Sequence, residues 1–159
     1  MTADIQGEHF IQNYEQCKLK PYICPSGKPT IGWGNTFYPN GKLVTMQDKP
    51  ITQAEADDIF IKVLAKFEKE VTSLLGNVKL PQHRFNALLS FAYNCGVENL
   101  KKSTLLKKVL VNQDDLTIWG EFLKWDKSNG VPSLGLKRRR KAEAHLYFKN
   151  EVNYYETLK

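Results

Sequence analysis

Apolar and polar positions recur along this chain with two different periods, and the change of period marks out the elements. Ile5, Phe10, Ile11 and Tyr14 fall at helical spacing, with Asp4 placed to cap the first turn. A short helix is expected from Ile5 to Gln16. From Tyr22 to Val44 the pattern turns strand-like. Tyr22-Ile23, Thr30-Ile31 and Leu43-Val44 are separated by the turn signals Pro25-Ser26-Gly27 and Asn40-Gly41, and a small antiparallel sheet fits them. Thr52-Gln53-Ala54-Glu55 is a capping box. Ala56, Ile59, Phe60, Val63, Leu64, Phe67, Val71 and Leu74 then repeat with a helical period, and Asp57, Asp58, Lys62 and Lys66 fill the other face. Gly76-Asn77 can end that helix. A helix of this length spans about 30 Å, enough to link two lobes.

The rest of the chain reads as helix. Leu80 to Gly96 carries Phe85, Ala87, Leu88, Leu89, Phe91, Ala92, Tyr93 and Cys95, apolar nearly all round. A buried central helix follows from that pattern, with Cys95 as a core thiol. Ser103 or Thr104 can cap a helix carrying Leu105, Leu106, Val109 and Leu110. Asp114 or Asp115 can cap another carrying Leu116, Trp119, Phe122 and Leu123. Asn129-Gly130 breaks the chain, and a last helix is expected from Leu136 to Lys149. The class is α+β, mostly helical, with its sheet near the N-terminus. No internal repeat or low-complexity linker divides it.

Composition narrows the picture only a little. With 159 residues, 42% of them hydrophobic and 25% charged, the chain has the make-up of one soluble domain or two small lobes. No run approaches the ~18 apolar residues of a membrane span. Met1-Thr2-Ala3-Asp4 begins neither a basic nor an apolar leader, so no signal peptide is expected and the chain is expected to stay in the cytoplasm until something releases it. A net charge of +6 draws it to polyanions, whether nucleic acid, anionic lipid or an acidic wall. Cys17, Cys24 and Cys95 form an odd set with no CxxC, which argues against a disulfide scaffold and a structural zinc site. Cys17 and Cys24 are nonetheless a candidate redox pair, if the strand bearing Cys24 returns near the helix end.

The candidate chemistry lies in Glu15-Gln16-Cys17-Lys18-Leu19-Lys20-Pro21-Tyr22-Ile23-Cys24-Pro25-Ser26-Gly27-Lys28-Pro29-Thr30-Ile31-Gly32-Trp33-Gly34-Asn35-Thr36. Glu15 ends a predicted helix, where the negative helix terminus disfavours charge on a carboxylate and so favours a proton donor. The order of Glu15, Cys24 and Thr30, with the tail Thr30-Ile31-Gly32-Trp33-Gly34, resembles the catalytic signature of the phage-type lysozymes, glycoside hydrolase family 24. Three further stretches carry the likeness. They are Leu80 to Gly96, Ser103-Thr104-Leu105, and Gly135-Leu136-Lys137-Arg138-Arg139-Arg140-Lys141-Ala142-Glu143.

The resemblance implies a bilobal lysozyme-like fold as a single domain. Its small lobe would take residues 15–51 and its linking helix 52–75. The helical lobe would take 76–159 with the N-terminal helix, and peptidoglycan would lie between the lobes. It implies cleavage of the β-1,4 bond between N-acetylmuramic acid and N-acetylglucosamine by a monomer with no cofactor or metal. Glycan rather than nucleic acid would be the polyanionic partner, and a separate pore-forming holin would provide release. Glu15, Cys24 and Thr30 take the catalytic positions. Thr36, Tyr93, Asn94 and Ser103 match sugar-facing positions, and Arg138 or Arg139 supplies a basic neighbour of Glu15. Asn35 stands where many relatives carry His, and Cys24 where the commoner pattern has Asp. Glycoside cleavage needs one acid for the leaving oxygen and a second group for water or for attack on the sugar. Thr30 can hold a water, and Cys24 can hold it, deprotonate it as a thiolate, or attack. Two other readings remain: a lytic transglycosylase on the same fold, and a non-catalytic wall-binding module. The run Lys137 to Lys141 otherwise reads as a solvated helix face.

Overall fold

The computed structural model describes residues 1–149. Helix α1 covers Ile5–Glu15, and strands β1 (Lys18–Ile23) and β2 (Pro29–Gly32) follow. Helices α2 (Gln53–Leu75), α3 (Gln82–Cys95), α4 (Val97–Lys102), α5 (Thr104–Val111) and α6 (Ile118–Leu123) come next. Strands β3 (Lys127–Ser128) and β4 (Val131–Pro132) and helix α7 (Leu134–Lys149) complete the order. The chain divides into two compact units, Ile11–Lys66 and Met1–Phe10 with the chain from Phe67 onward. The division falls inside α1 and α2.

In the unit Ile11–Lys66, β1 and β2 pair antiparallel, with Tyr22 opposite Thr30 and Ile23 opposite Pro29. Leu43-Val44 forms no full strand. Leu43 makes a single bridge to Phe37, because the chain turns back within Tyr38–Gly41, where Gly41 takes φ +87°. The capping box forms as expected: Glu55 N–H donates to Thr52 Oγ1 at 3.1 Å, and Thr52 N–H donates to Glu55 Oε2 at 3.3 Å. Ile31, Val44, Ala56, Phe60, Val63 and Leu64 form this unit's core.

In the other unit, Asp4 caps α1 by accepting from Gly7 N–H at 3.0 Å. The next residue, Ile5, is two-thirds exposed, so it is not part of the apolar stripe. Helix α3 is buried continuously from Phe85 to Ala92, and Phe91 packs edge-on against Phe122 and Trp125. Leu116 is exposed instead of core. Asp115 accepts from Thr117 N–H at 2.9 Å and holds a turn there, so α6 starts only at Ile118. Asn129-Gly130 is a two-residue hairpin, not a mere break. Both residues have positive φ, 50° and 78°, which matches the twist of the paired β3 and β4.

The basic run Lys137 to Lys141 is a solvated face only in part, through the exposed Lys137 and Lys141. Arg139 and Arg140 are buried, and Glu143 is fully enclosed with them. Arg140 Nε lies 2.8 Å from Glu143 Oε2, and Arg139 Nε and Ser90 Oγ donate to Oε1 at 3.3 and 2.6 Å. Arg140 also donates to Cys95 Sγ and lies over the Phe91 ring. Cys95 is therefore half-buried beside a guanidinium, not an apolar core thiol.

Candidate active site

The end of α1 fixes the first group. Gln16 takes φ +49°, which stops the helix, and its N–H closes the last turn on Gln12 O at 3.2 Å. Glu15 is thus the final helical residue. Its carboxylate lies against Gly34. A Cβ built on Gly34 would overlap Glu15 Oε2 and stand 2.9 Å from Cδ, and Gly34 has φ +74°. Glycine is required here twice, for the left-handed backbone and for the room it leaves. Ala at this position is expected to cut activity at least about tenfold by displacing the carboxylate. Gly41→Ala is the control, because its φ is +87° but nothing lies within 4 Å of its Cβ. Initial rates on purified walls check this, and equal activity in the two variants would mean that strain alone matters.

The second group comes from the β1–β2 turn. Gly27 N–H donates to Cys24 O at 2.8 Å, and Cys24 N–H donates to Lys28 O at 3.0 Å, so the ladder continues one step past Ile23. Tyr22 and Cys24, two residues apart, share a sheet face, and Thr30 lies opposite Tyr22 on that face. Cys24 Sγ and Ser26 Oγ are 2.9 Å apart. Burial alone would raise the thiol above its ordinary value of 9.0. Hydrogen bonds from the Ser26 and Thr30 hydroxyls and from the Lys28 and Ser26 backbone outweigh burial and bring it down to about 7. The thiolate is therefore within reach near neutrality.

Thr30 is buried, and its hydroxyl donates to Lys28 O at 2.9 Å. Tyr22 and Ser26 read from the sequence only as strand and turn residues, and the structure couples both to Cys24. Burial and then the charges of Glu15 and Cys24 push the Tyr22 phenol up. Their signal was positional: Tyr22 precedes Cys24 by two residues and Ser26 follows it by two.

The proposed Cys17–Cys24 redox pair is contradicted. Both thiols are free. They flank β1 at its two ends, and a strand of that length separates them by roughly 20 Å, against the ~7 Å Cα limit of a disulfide. Cys17 instead accepts from Gln53 Nε2 at 3.5 Å.

Glu15, Cys24, Thr30 and Thr36 belong to one unit, and Tyr93, Asn94, Ser103, Arg138 and Arg139 to the other. Thr36 is half-buried, and its carbonyl accepts from Val44 N–H at 3.0 Å. Tyr93 packs on Phe67 with ring centroids 5.2 Å apart, and Asn94 is exposed. Ser103, expected to face sugar, caps α5. It is buried, donates to Leu100 O at 2.6 Å and accepts from Leu106 N–H at 3.0 Å. Arg138 is half-buried, while Arg139 is engaged with Glu143 and Ser90. Among the described residues, no group of three or more His, Cys, Asp or Glu side chains is placed to hold a metal ion. No described helix is long and apolar enough to cross a membrane.

Comparison with known proteins places the chain among the phage lysozymes. The family model described as phage lysozyme matches residues 12–143. The chain is 37% identical to an endolysin of Acyrthosiphon pisum secondary endosymbiont phage 1, covering 92% of this chain and 98% of that protein. It is 33% identical to an endolysin of Bacillus phage B103 over 95% of this chain, and spans 56% of that protein's length. Among solved structures, the endolysin from Escherichia coli O157:H7 phage FAHEc1 superposes with a TM-score of 0.84 at 29% identity. That match covers 96% of this chain and 97% of the other.

Proposed function

The chain belongs to the phage lysozyme family and is a lysozyme-type enzyme, and we propose that it lyses bacterial walls by hydrolysing the β-1,4 bond between N-acetylmuramic acid and N-acetylglucosamine in peptidoglycan. The observation that carries this reading is the Glu15 carboxylate seated against Gly34, in the unit that also presents Cys24 and Thr30 on one sheet face. Glu15 gives its proton to the glycosidic oxygen. Water adds to the muramic anomeric carbon, and the Cys24 thiolate takes the proton that water loses. Thr30, Ser26 and Tyr22 hold Cys24 in place. Tyr93, Asn94 and Thr36 remain the proposed sugar contacts, and Arg138 or Arg139 the proposed basic neighbour of Glu15. The protein acts as a monomer and reaches the wall through a pore made by a separate holin.

The pH profile of Cys24 variants tests this assignment. Cys24→Asp is expected to keep activity, since it supplies a group ionised at neutral pH. Cys24→Ala is expected to lose at least about a hundredfold. With the thiol near 7, the thiolate fraction rises about tenfold from pH 6 to pH 8. The ratio of wild-type to Cys24→Asp rates cancels every titration the two share, and it should rise by that factor. A flat ratio over that interval would take the thiolate out of the mechanism. A fully active alanine variant would remove Cys24 altogether.

A further inference from the structure

The turn that meets Glu15 is tied to α2 through a side chain the reaction does not use. Ile31 and Asn35 exchange two backbone hydrogen bonds, each 2.9 Å, and close the five-residue turn Ile31–Asn35. Trp33 is its apex, between Gly32 at φ +64° and Gly34 at φ +74°. The indole Nε1–H donates to Asp57 Oδ1 at 2.8 Å. Gln53, one helical turn earlier on α2, donates its amide to the same oxygen at 2.9 Å. The Phe60 ring, also on α2, stands 6.3 Å from the indole at 58°. The residue after the apex is Gly34, whose backbone forms the wall against the Glu15 carboxylate.

We infer that Asp57 is a positioning residue for the reaction, acting through the Trp33 indole to hold Gly34 against Glu15. Gly32 and Gly34 are the most easily rotated residues of the turn, and a turn hinged on two glycines keeps its shape only if its apex is held. Asp57 is exposed on α2, so its carboxylate is free of any core duty, yet it accepts from both Trp33 and Gln53. Loosening the apex lets Gly34 move and changes where the Glu15 proton points. A misplacement of about 1 Å in a catalytic group can cost up to ~100-fold in rate. The inference rests on Glu15 being the proton donor, and its test separates the two claims.

The experiment measures kcat and KM on soluble glycan chains for Asp57→Ala, Asp57→Asn, Trp33→Phe, the Asp57→Ala/Trp33→Phe double variant and Glu15→Gln. Asp57→Ala removes an exposed side chain and supplies a better helix former, so it should fold, and its melting temperature and circular dichroism check that. Asp57→Ala should lower kcat about tenfold with KM within about twofold. Asp57→Asn keeps an oxygen acceptor and should restore most of the rate. Trp33→Phe keeps the ring against Phe60 but loses the N–H, so it should match Asp57→Ala, and the double variant should be no worse than either. Wild-type kcat in Asp57→Ala overturns the inference, as does a change confined to KM, failure of Asn to rescue, or additive losses in the double variant. If Glu15→Gln is itself active, the proton-donor reading fails first. If it is dead while Asp57→Ala is fully active, only the latch fails.

Discussion

Glu15→Gln is expected to abolish wall lysis, with a loss of at least about a thousandfold, while the chain folds as before. General acid catalysis by a positioned side chain contributes roughly 10²–10⁴-fold, and a sugar leaving group departs poorly without a proton. Gln has the same length and fills the same space beside Gly34, so the Gly34 contact can form unchanged. It has no proton to give. Glu15 is only half-buried at the end of α1, so the substitution carries little stability cost. Activity within tenfold of wild type, with an unchanged melting temperature, would remove Glu15 from the mechanism.

The second large effect concerns stability. Glu143→Ala is expected to destabilise the protein by about 3–5 kcal/mol, the usual cost of stranding a buried charge. Glu143 is fully buried, with Arg139, Arg140 and Ser90 around it. Removing its carboxylate takes from the enclosed Arg140 guanidinium the acidic group that lies 2.8 Å from its Nε. Against a total of about 5–15 kcal/mol for a small protein, that loss is enough to leave some of the chain unfolded at 37 °C. Urea unfolding at 25 °C measures it. A loss under about 1 kcal/mol would mean that water or another acidic group reaches Arg139 and Arg140. Cys95 provides a contrast. It also touches Arg140, but burial pushes its thiol up and keeps it neutral, so Cys95→Ser should cost far less than Glu143→Ala.

These two predictions rest on unequal sources. Glu15 was legible in the sequence because its signals are local: a helix that ends, then a signature at fixed spacing. The Thr52–Glu55 box and the apolar run of α3 were legible for the same reason, since their partners lie within one or two helical turns. The Glu143 network was not legible. The repeated arginines looked like a solvated face until α3 was seen to bring Ser90 and Cys95 to them. Leu116 was misread because it sits three residues before Trp119, as a helix would require, while the Asp115 turn delays the helix. Helix α4 was missed because six residues with one buried side chain, Leu100, carry no period. The β3–β4 hairpin was missed because two-residue strands show no alternation. The Cys17–Cys24 pair failed for a general reason. Seven residues span about 10 Å in a helix but roughly 20 Å in a strand, and spacing alone does not say which. Ser103 showed its cap in the sequence because the cap's partner, Leu106 N–H, lies three residues away.

Hydrolysis of the muramic glycosidic bond and transglycosylation leave different ends on the glycan. The most direct test is mass spectrometry of the muropeptides released from purified peptidoglycan digested in ¹⁸O-labelled water. The expected fragments end in a reducing N-acetylmuramic acid that carries one ¹⁸O at its anomeric position. Fragments ending in 1,6-anhydromuramic acid without label would contradict it and make the protein a lytic transglycosylase.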